Sequence, residues 1–294
     1  MQPLNSLPKY NLFGIDEIEY KDAKIVVLPI PYDSTVTYRS GTREGPRAII
    51  EASRNMELYS YELGTDISKV GIYTMDELAP DFSSPKNMVK HIAREVELIM
   101  KEGKIPLILG GEHTITIGAA QALSNMEKKV SFIQLDAHSD TRDEMFNSKY
   151  MHATAMRRTK ELCKNLVSVG IRSMEEPLEK SEKNHEIFTM HDVHEKGIEK
   201  IARKVLDLTE DEIYLTIDLD VLDPSEMPAT GTPEPDGMRF HELIKFIEII
   251  AKEKKLLGFD IVELCPIQGF HAPNYLAAKL AYLTIGHFTR QHRE

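Results

Sequence analysis

The sequence predicts an α/β protein: one three-layer domain in which a mostly parallel β-sheet is flanked by helices. Three observations predict it. Seven short apolar runs occur, several apolar on nearly every residue, as strands covered on both faces must be. Amphipathic stretches at helical spacing alternate with them, the pattern of parallel strands joined by crossover helices. No internal repeat, low-complexity tract or Gly/Ser-rich linker divides the 294 residues. A single domain over 1–294 is therefore expected, with an irregular N-terminal arm at 1–20.

The first strand is expected at 23–30 and a weak helix at 46–56. The clearest helix covers 85–102. Ser84 can cap it, Pro85 takes the first helical position, and Gly103 stands just past its end. Its apolar face reads Met88, Ile92, Val96, Ile99 and Met100. Strands follow at 106–109, 130–135, 166–170, 187–190, 213–217 and 256–261. Helices are expected at 115–125, 198–208, 239–254 and 273–291. In 239–254 the spacing is carried by Phe240, Leu243, Ile244, Ile247 and Ile250.

Composition narrows the function. Apolar residues make up 41% and charged residues 28%, which suits a packed globular chain and not a disordered one. Apolar runs fall far short of the ~18 residues of a membrane span. The opening MQPLNSLPKYNLF lacks the basic segment and apolar core of a secretion signal. Cys163 and Cys265 form neither a disulfide framework nor a CxxC. The chain is expected in the cytoplasm, with no membrane and no nucleic-acid partner. Its net charge of −11 opposes nonspecific nucleic-acid binding and favours metal ions or a cationic substrate.

Four apolar runs end in ionisable residues. LILGG leads into Glu112-His113, FIQL into Asp136-Ala137-His138-Ser139-Asp140, YLTI into Asp218-Leu219-Asp220, and GFDIV into Glu263. Ligands of open parallel sheets bind beyond the carboxyl ends of the strands, so four such ends point to one cleft. Alternate residues of an extended chain share a face, which lets Asp136, His138 and Asp140 converge, and likewise Asp218 and Asp220. With His113 these make four carboxylates and two imidazoles. Four carboxylates resist ionising together unless cations are present, and two divalent ions would balance them. Oxygen and imidazole donors without thiolate suit Mn²⁺, with Zn²⁺, Co²⁺ or Fe²⁺ as alternatives. A lone DxD is most often a turn or cap. The three segments together outweigh that reading. Asp223, before Pro224, reads as a turn residue, and Glu112 as a support for the ligands.

These segments resemble a known family. GGEHTIT (110–116), DAHSD (136–140) and DLDVLDPSEMPATGTPEP (218–235) are similar to the three signature segments of the ureohydrolases: arginase, agmatinase and formimidoylglutamase. The stretch PIPYDSTVTYRSGTREGP (29–46) and the TPEP ending look agmatinase-like. The resemblance spans residues 24–291 and implies an arginase-like fold. It implies one Mn²⁺ on His113, Asp136, Asp140 and Asp218, and another on Asp136, His138, Asp218 and Asp220, with a bridging hydroxide as nucleophile. Glu263 matches the carboxylate that orients the guanidinium. His152 matches the flexible-loop proton shuttle, although Ala153 stands where Gly is usual. Asp140 is counted with these two as catalytic, and Thr232 as a substrate contact. Ala229 and the Leu264-Cys265 pair also depart from the common pattern without removing a catalytic group.

The resemblance implies hydrolysis of a small cationic guanidino compound, and agmatine to putrescine and urea is the reaction expected. Asp143 and Glu144 are expected to draw agmatine's far ammonium. Arg142 beside them would suit a carboxylate, as in 4-guanidinobutyrate. Aminopropyl-agmatine and arginine are further candidates, and a non-catalytic metal-dependent binding protein is the alternative from another class. A dinuclear phosphoesterase is opposed by the lack of a basic cluster beside the ligand motifs. The family implies a homo-oligomer, trimer or hexamer.

Overall fold

A computed structural model describes residues 7–16, 18–175 and 181–290. In chain order its elements are β1 (Ile25–Ile30), α1 (Gly45–Ser53), β2 (Tyr59–Ser60), β3 (Thr65–Asp66) and β4 (Ile72–Thr74). They continue with α2 (Pro85–Lys101), β5 (Ile105–Gly110), α3 (Ile115–Asn125), β6 (Ser131–Leu135), α4 (Ala155–Leu162) and β7 (Asn165–Ile171). Then come β8 (Ser181–Glu182), β9 (His185–Thr189), α5 (Met190–Lys196), α6 (Ile198–Leu208), β10 (Glu212–Asp218), α7 (Phe240–Glu253), β11 (Lys255–Val262) and α8 (Ala272–Arg290).

The main sheet runs β4-β1-β5-β11-β10-β6-β7-β9-β8. Its pairings are parallel except for the short β8, which runs antiparallel to β9. β2 and β3 form a separate antiparallel pair. This is the α/β class expected. The strands are apolar on successive residues because each face meets its own helical layer. Ile25, Val27, Leu107, Leu109, Leu215 and Ile217 pack on the side of α1, α6, α7 and α8. Val26, Leu28, Ile108, Phe132 and Tyr214 pack on the side of α2, α3 and α4. No described helix is long and apolar enough to cross a membrane.

The seven expected strands and six expected helices are present, and the ends differ for local reasons. The strand expected to reach Met190 stops at Thr189, whose side chain caps α5 in a reciprocal pair with Asp192. α4 has no sequence signal, because AMRRTKEL carries few apolar residues; it buries Ala155 and Met156 in the core beside α3. β4 is a three-residue edge strand with one fully buried side chain. Within the N-terminal arm, Leu12 and Phe13 are buried, and Phe13 meets Tyr282 of α8 edge-on at 5.3 Å.

The order of the central strands places the site. β5, β11, β10 and β6 are neighbours. Register pairs Leu109 with Ile261, Ile261 with Ile217 and Ile217 with Leu135, so their carboxyl ends lie level. The four ionisable segments therefore leave the sheet side by side.

Candidate active site

His113 is held at the end of β5 by a two-glycine turn. A side chain at Gly111 would strike the Tyr32 carbonyl oxygen at 1.9 Å, so only glycine fits there. His113 Nδ1 lies 3.1 Å from Asp136 Oδ2, 3.2 Å from Asp140 Oδ2 and 3.4 Å from Asp218 Oδ2. His138 Nδ1 lies 2.8 Å from Asp220 Oδ2 and 3.7 Å from Asp136 Oδ1. Two groups follow, His113 with Asp136 and Asp140, and Asp136 with His138 and Asp220. Within each, the candidate ligand atoms lie within 4.8 Å of one another. Asp136 belongs to both. Asp218 joins them through His113, and its Oδ1 accepts the Asp220 N–H at 2.9 Å. Asp140 reaches back because its backbone turns left-handed, φ 50°, while its carbonyl accepts the N–H groups of Met156 and Arg157.

The electrostatics call for added positive charge. Burial and the neighbouring Asp220 push Asp136 up to about 7. Asp218 is driven well above the carboxylate range by burial, then by Asp220 and Asp136. Asp220 is buried as well, yet the adjoining His138 holds it at about 2. Burial opposes charge on His113, but the surrounding carboxylates of Asp136, Asp140 and Asp218 raise it well above 6.5. In the bare protein, protons hold these carboxylates together, and divalent cations can replace them.

The donors fit such ions. Thr216 Oγ1 donates to Asp260 Oδ1 at 2.6 Å. Its lone pair then accepts His113 Nε2–H at 2.9 Å. Thr216 thereby holds a proton on Nε2, so a metal ion displacing the other proton would find the Nδ1 lone pair among the carboxylates. His113 Nδ1 is buried with no hydrogen-bond partner of good geometry among the described residues. An orphaned imidazole nitrogen among carboxylate oxygens suits a hard or borderline divalent ion.

Glu263 leaves β11 in a left-handed conformation, φ 66°, with its N–H on the Gly111 carbonyl at 2.8 Å. Its Oε1 accepts the His113 N–H at 2.7 Å. Burial and nearby Glu112 raise its pKa well above the carboxylate range. His152 lies within the field of Asp140. Burial, the larger effect, lowers its pKa below 6.5 and leaves the imidazole neutral at pH 7. The backbone N–H of His152 meets Thr35 Oγ1, and its Nε2 meets Thr37 Oγ1, each at 3.2 Å.

A sequence model of the arginase family matches residues 23–286. The chain belongs to the arginase family. Its relatives include the N(1)-aminopropylagmatine ureohydrolase of Synechocystis sp., 35% identical over 98% of this chain and 96% of that one. The agmatinase of Pyrococcus horikoshii is 34% identical, covering 92% and 93% of the two chains. The solved agmatine ureohydrolase of Thermoplasma volcanium superposes with a TM-score of 0.88 at 32% identity, over 99% of this chain and 97% of that one. This arginase-family chain is thus a ureohydrolase, cleaving C–N bonds of guanidino or amidine compounds. The family works with a dinuclear metal site, and the two ligand groups are the candidates for it here.

The remaining expected residues of this ureohydrolase lie differently. Asp143 is exposed, and its carboxylate is taken by Arg158 and by Lys149 at 3.2 Å. Its charge is already answered within the chain, which argues against the expected draw on a substrate ammonium. Glu144 is exposed and carries no ion pair among the described residues. Arg142 is paired with Glu175. Thr232 is half-buried in a segment beside Glu263, where a side chain at the preceding Gly231 would lie 3.9 Å from Glu263 Oε2. Glu112, read as a support, accepts the N–H and the hydroxyl of Thr35 on its two carboxylate oxygens.

Three supporting residues escape sequence reasoning. Arg172 donates to the carbonyls of Asp220 at 2.7 Å and Glu234 at 2.8 Å, tying the DLD turn to the TPEP segment. Gln134 donates to Asp136 Oδ2 at 2.7 Å. Asp260 anchors Thr216. The only signal for Asp260 and Gln134 is a polar residue inside an apolar strand.

Proposed function

We propose that this ureohydrolase converts agmatine to putrescine and urea at two Mn²⁺ ions. One ion would sit on His113, Asp136, Asp140 and Asp218, the other on Asp136, His138, Asp218 and Asp220. The observation that carries the reading is the meeting of these six side chains with Glu263 on neighbouring strand ends. Bound there, the ions would lower the pKa of water towards ~7, making it nucleophilic enough for a delocalised guanidinium.

The residues of the chain do the rest. Glu263 Oε1 is engaged by the His113 N–H, which leaves Oε2 to hold guanidinium N–H groups by charge-assisted hydrogen bonds. A cationic substrate restores the ionised carboxylate that burial disfavours. Thr232 borders the same position. As the bond from carbon to the alkyl nitrogen breaks, the water oxygen stays on carbon as urea. Both water protons end on the leaving amine, which departs as an ammonium. His152, neutral before the step, can carry one of them, and the charge of Asp140 acts on it as it takes up the proton. The family likeness supports a homo-trimer or hexamer.

A second reading is N(1)-aminopropylagmatine as substrate. It is favoured by relatives of that name from Synechocystis sp. and Thermus thermophilus, at 35% and 34% identity. Urea release by Mn²⁺-loaded protein decides, with agmatine, N(1)-aminopropylagmatine, 4-guanidinobutyrate and arginine compared by kcat/KM against a metal-stripped control. Highest kcat/KM for agmatine supports the first reading, and for the aminopropyl compound the second. Preference for a carboxylate-bearing guanidine overturns both.

A further inference from the structure

We infer that Thr37 is a positioning residue for His152, within a clasp that Thr35 and Glu112 anchor; the inference rests on the reading of His152 as proton carrier. His152 is gripped at two points by one loop, the segment after β1. Thr35 Oγ1 receives its backbone N–H, and Thr37 Oγ1 meets its ring Nε2, each at 3.2 Å. The anchor is rigid. Thr35 gives its hydroxyl proton to Glu112 Oε1 at 2.6 Å and its N–H to Glu112 Oε2 at 2.8 Å. Glu112 is wholly buried and precedes His113, so the clasp is tied to the end of β5. The loop is closed at its base by buried Asp33, which accepts the N–H of Gly41 at 2.9 Å.

The two contacts do different work. The Thr35 contact holds the backbone of His152. The outer torsion of a histidine side chain is broad, so a fixed backbone does not fix the ring. The Thr37 hydroxyl does that, and holding one ring nitrogen sets where the other faces. Thr37 is exposed, so its hydrogen bond has little to contribute to folding. Its consequence is the aim of the imidazole towards the leaving amine.

A double-mutant cycle tests this. Urea release is measured for His152→Asn, Thr37→Val, Thr37→Ser and the double variant His152→Asn/Thr37→Val, on the guanidine with the highest kcat/KM. Melting temperature and Mn²⁺ bound per chain serve as controls. Thr37→Val is expected to lower kcat about tenfold or more with KM within about twofold, since misaimed groups cost rate more than binding. Thr37→Ser should recover most of that loss. In the His152→Asn background, Thr37→Val should cost nothing further. A full-rate Thr37→Val beside a slow His152→Asn overturns the inference alone. So does an equal loss from Thr37→Val in both backgrounds. An undiminished kcat for His152→Asn overturns the proton-carrier reading, and the inference with it.

Discussion

At the floor of the site, His113, Asp136, Asp218 and Asp220 stand beyond the ends of the central parallel strands β5, β6 and β10, each no more than 3% exposed. At its rim, Thr37, Asp143 and Glu144 stand on loops open to solvent. The floor is over-determined. Each ligand is held by a strand end, and most by a further hydrogen bond, such as Thr216 on His113, Gln134 on Asp136 and the Ala137 N–H on Asp220. The rim rests on a few long-range contacts. Chemistry common to a family belongs on the first kind of support, and substrate choice on the second.

Asp136→Ala breaks the floor most completely, since Asp136 belongs to both ligand groups. Urea release should fall by about 10⁴-fold or more, as when one member of a concerted site is lost. Bound metal, measured by elemental analysis, should fall with it; full metal content would mean that Asp136 is not shared. Glu263→Gln leaves the ions in place and removes the charge facing the guanidinium. An expected loss of about 10²-fold or more in kcat/KM, at unchanged metal content, separates substrate orientation from metal binding.

Thr216→Val tests the support beneath the floor. Chelator competition should show metal affinity weakened about 10- to 100-fold, because His113 loses the acceptor that keeps its proton on Nε2. Unaltered affinity would leave Thr216 with a packing role only.

The pH response of metal-stripped protein sharpens the contrast further. Asp136 sits at about 7 against an unfolded value of 3.8, so the folded state holds the extra proton, and stability falls as pH rises through that interval. His138, raised to about 11 by Asp220 against the cost of burial, loses its contribution as pH climbs from 6.5 to 11. Both act in one direction. The melting temperature should fall steadily from pH 5 to 9, and added Mn²⁺ should raise it most at the alkaline end. A metal-stripped protein that gains stability over this range would contradict the charge balance of the floor.

Asp143→Asn, at the rim, should do least. Its ion pairs with Arg158 and Lys149 lie in solvent, where water and salt screen them and little is lost with the charge. The substrate KM should stay within about twofold. A rise well beyond that would return Asp143 to the recognition of the far ammonium.

Much of the floor was legible in the chain itself. DAHSD and DLD follow short apolar runs that read as buried strands, and side-chain alternation lets their carboxylates converge. Helix 85–102 was legible through Ser84, Pro85 and Gly103, because capping is local chemistry. α4 was not, since AMRRTKEL becomes helical by packing its few apolar residues into the core beside α3. The hold on His152 was equally hidden, because Thr35 and Glu112 are 77 positions apart and nothing local links them.

The sequence by itself determined which residues bear charge at which strand ends, because periodicity, capping and donor chemistry are properties of neighbouring residues. Only the tertiary structure decided which ends adjoin. Placing β11 between β5 and β10 brings Glu263 to the His113 N–H across 150 residues of chain. It also decided that Asp143 serves Arg158 and that a loop after β1 grips His152. Such pairings are settled by the packing of layers against one sheet, a free energy summed over the whole core and written in no single segment.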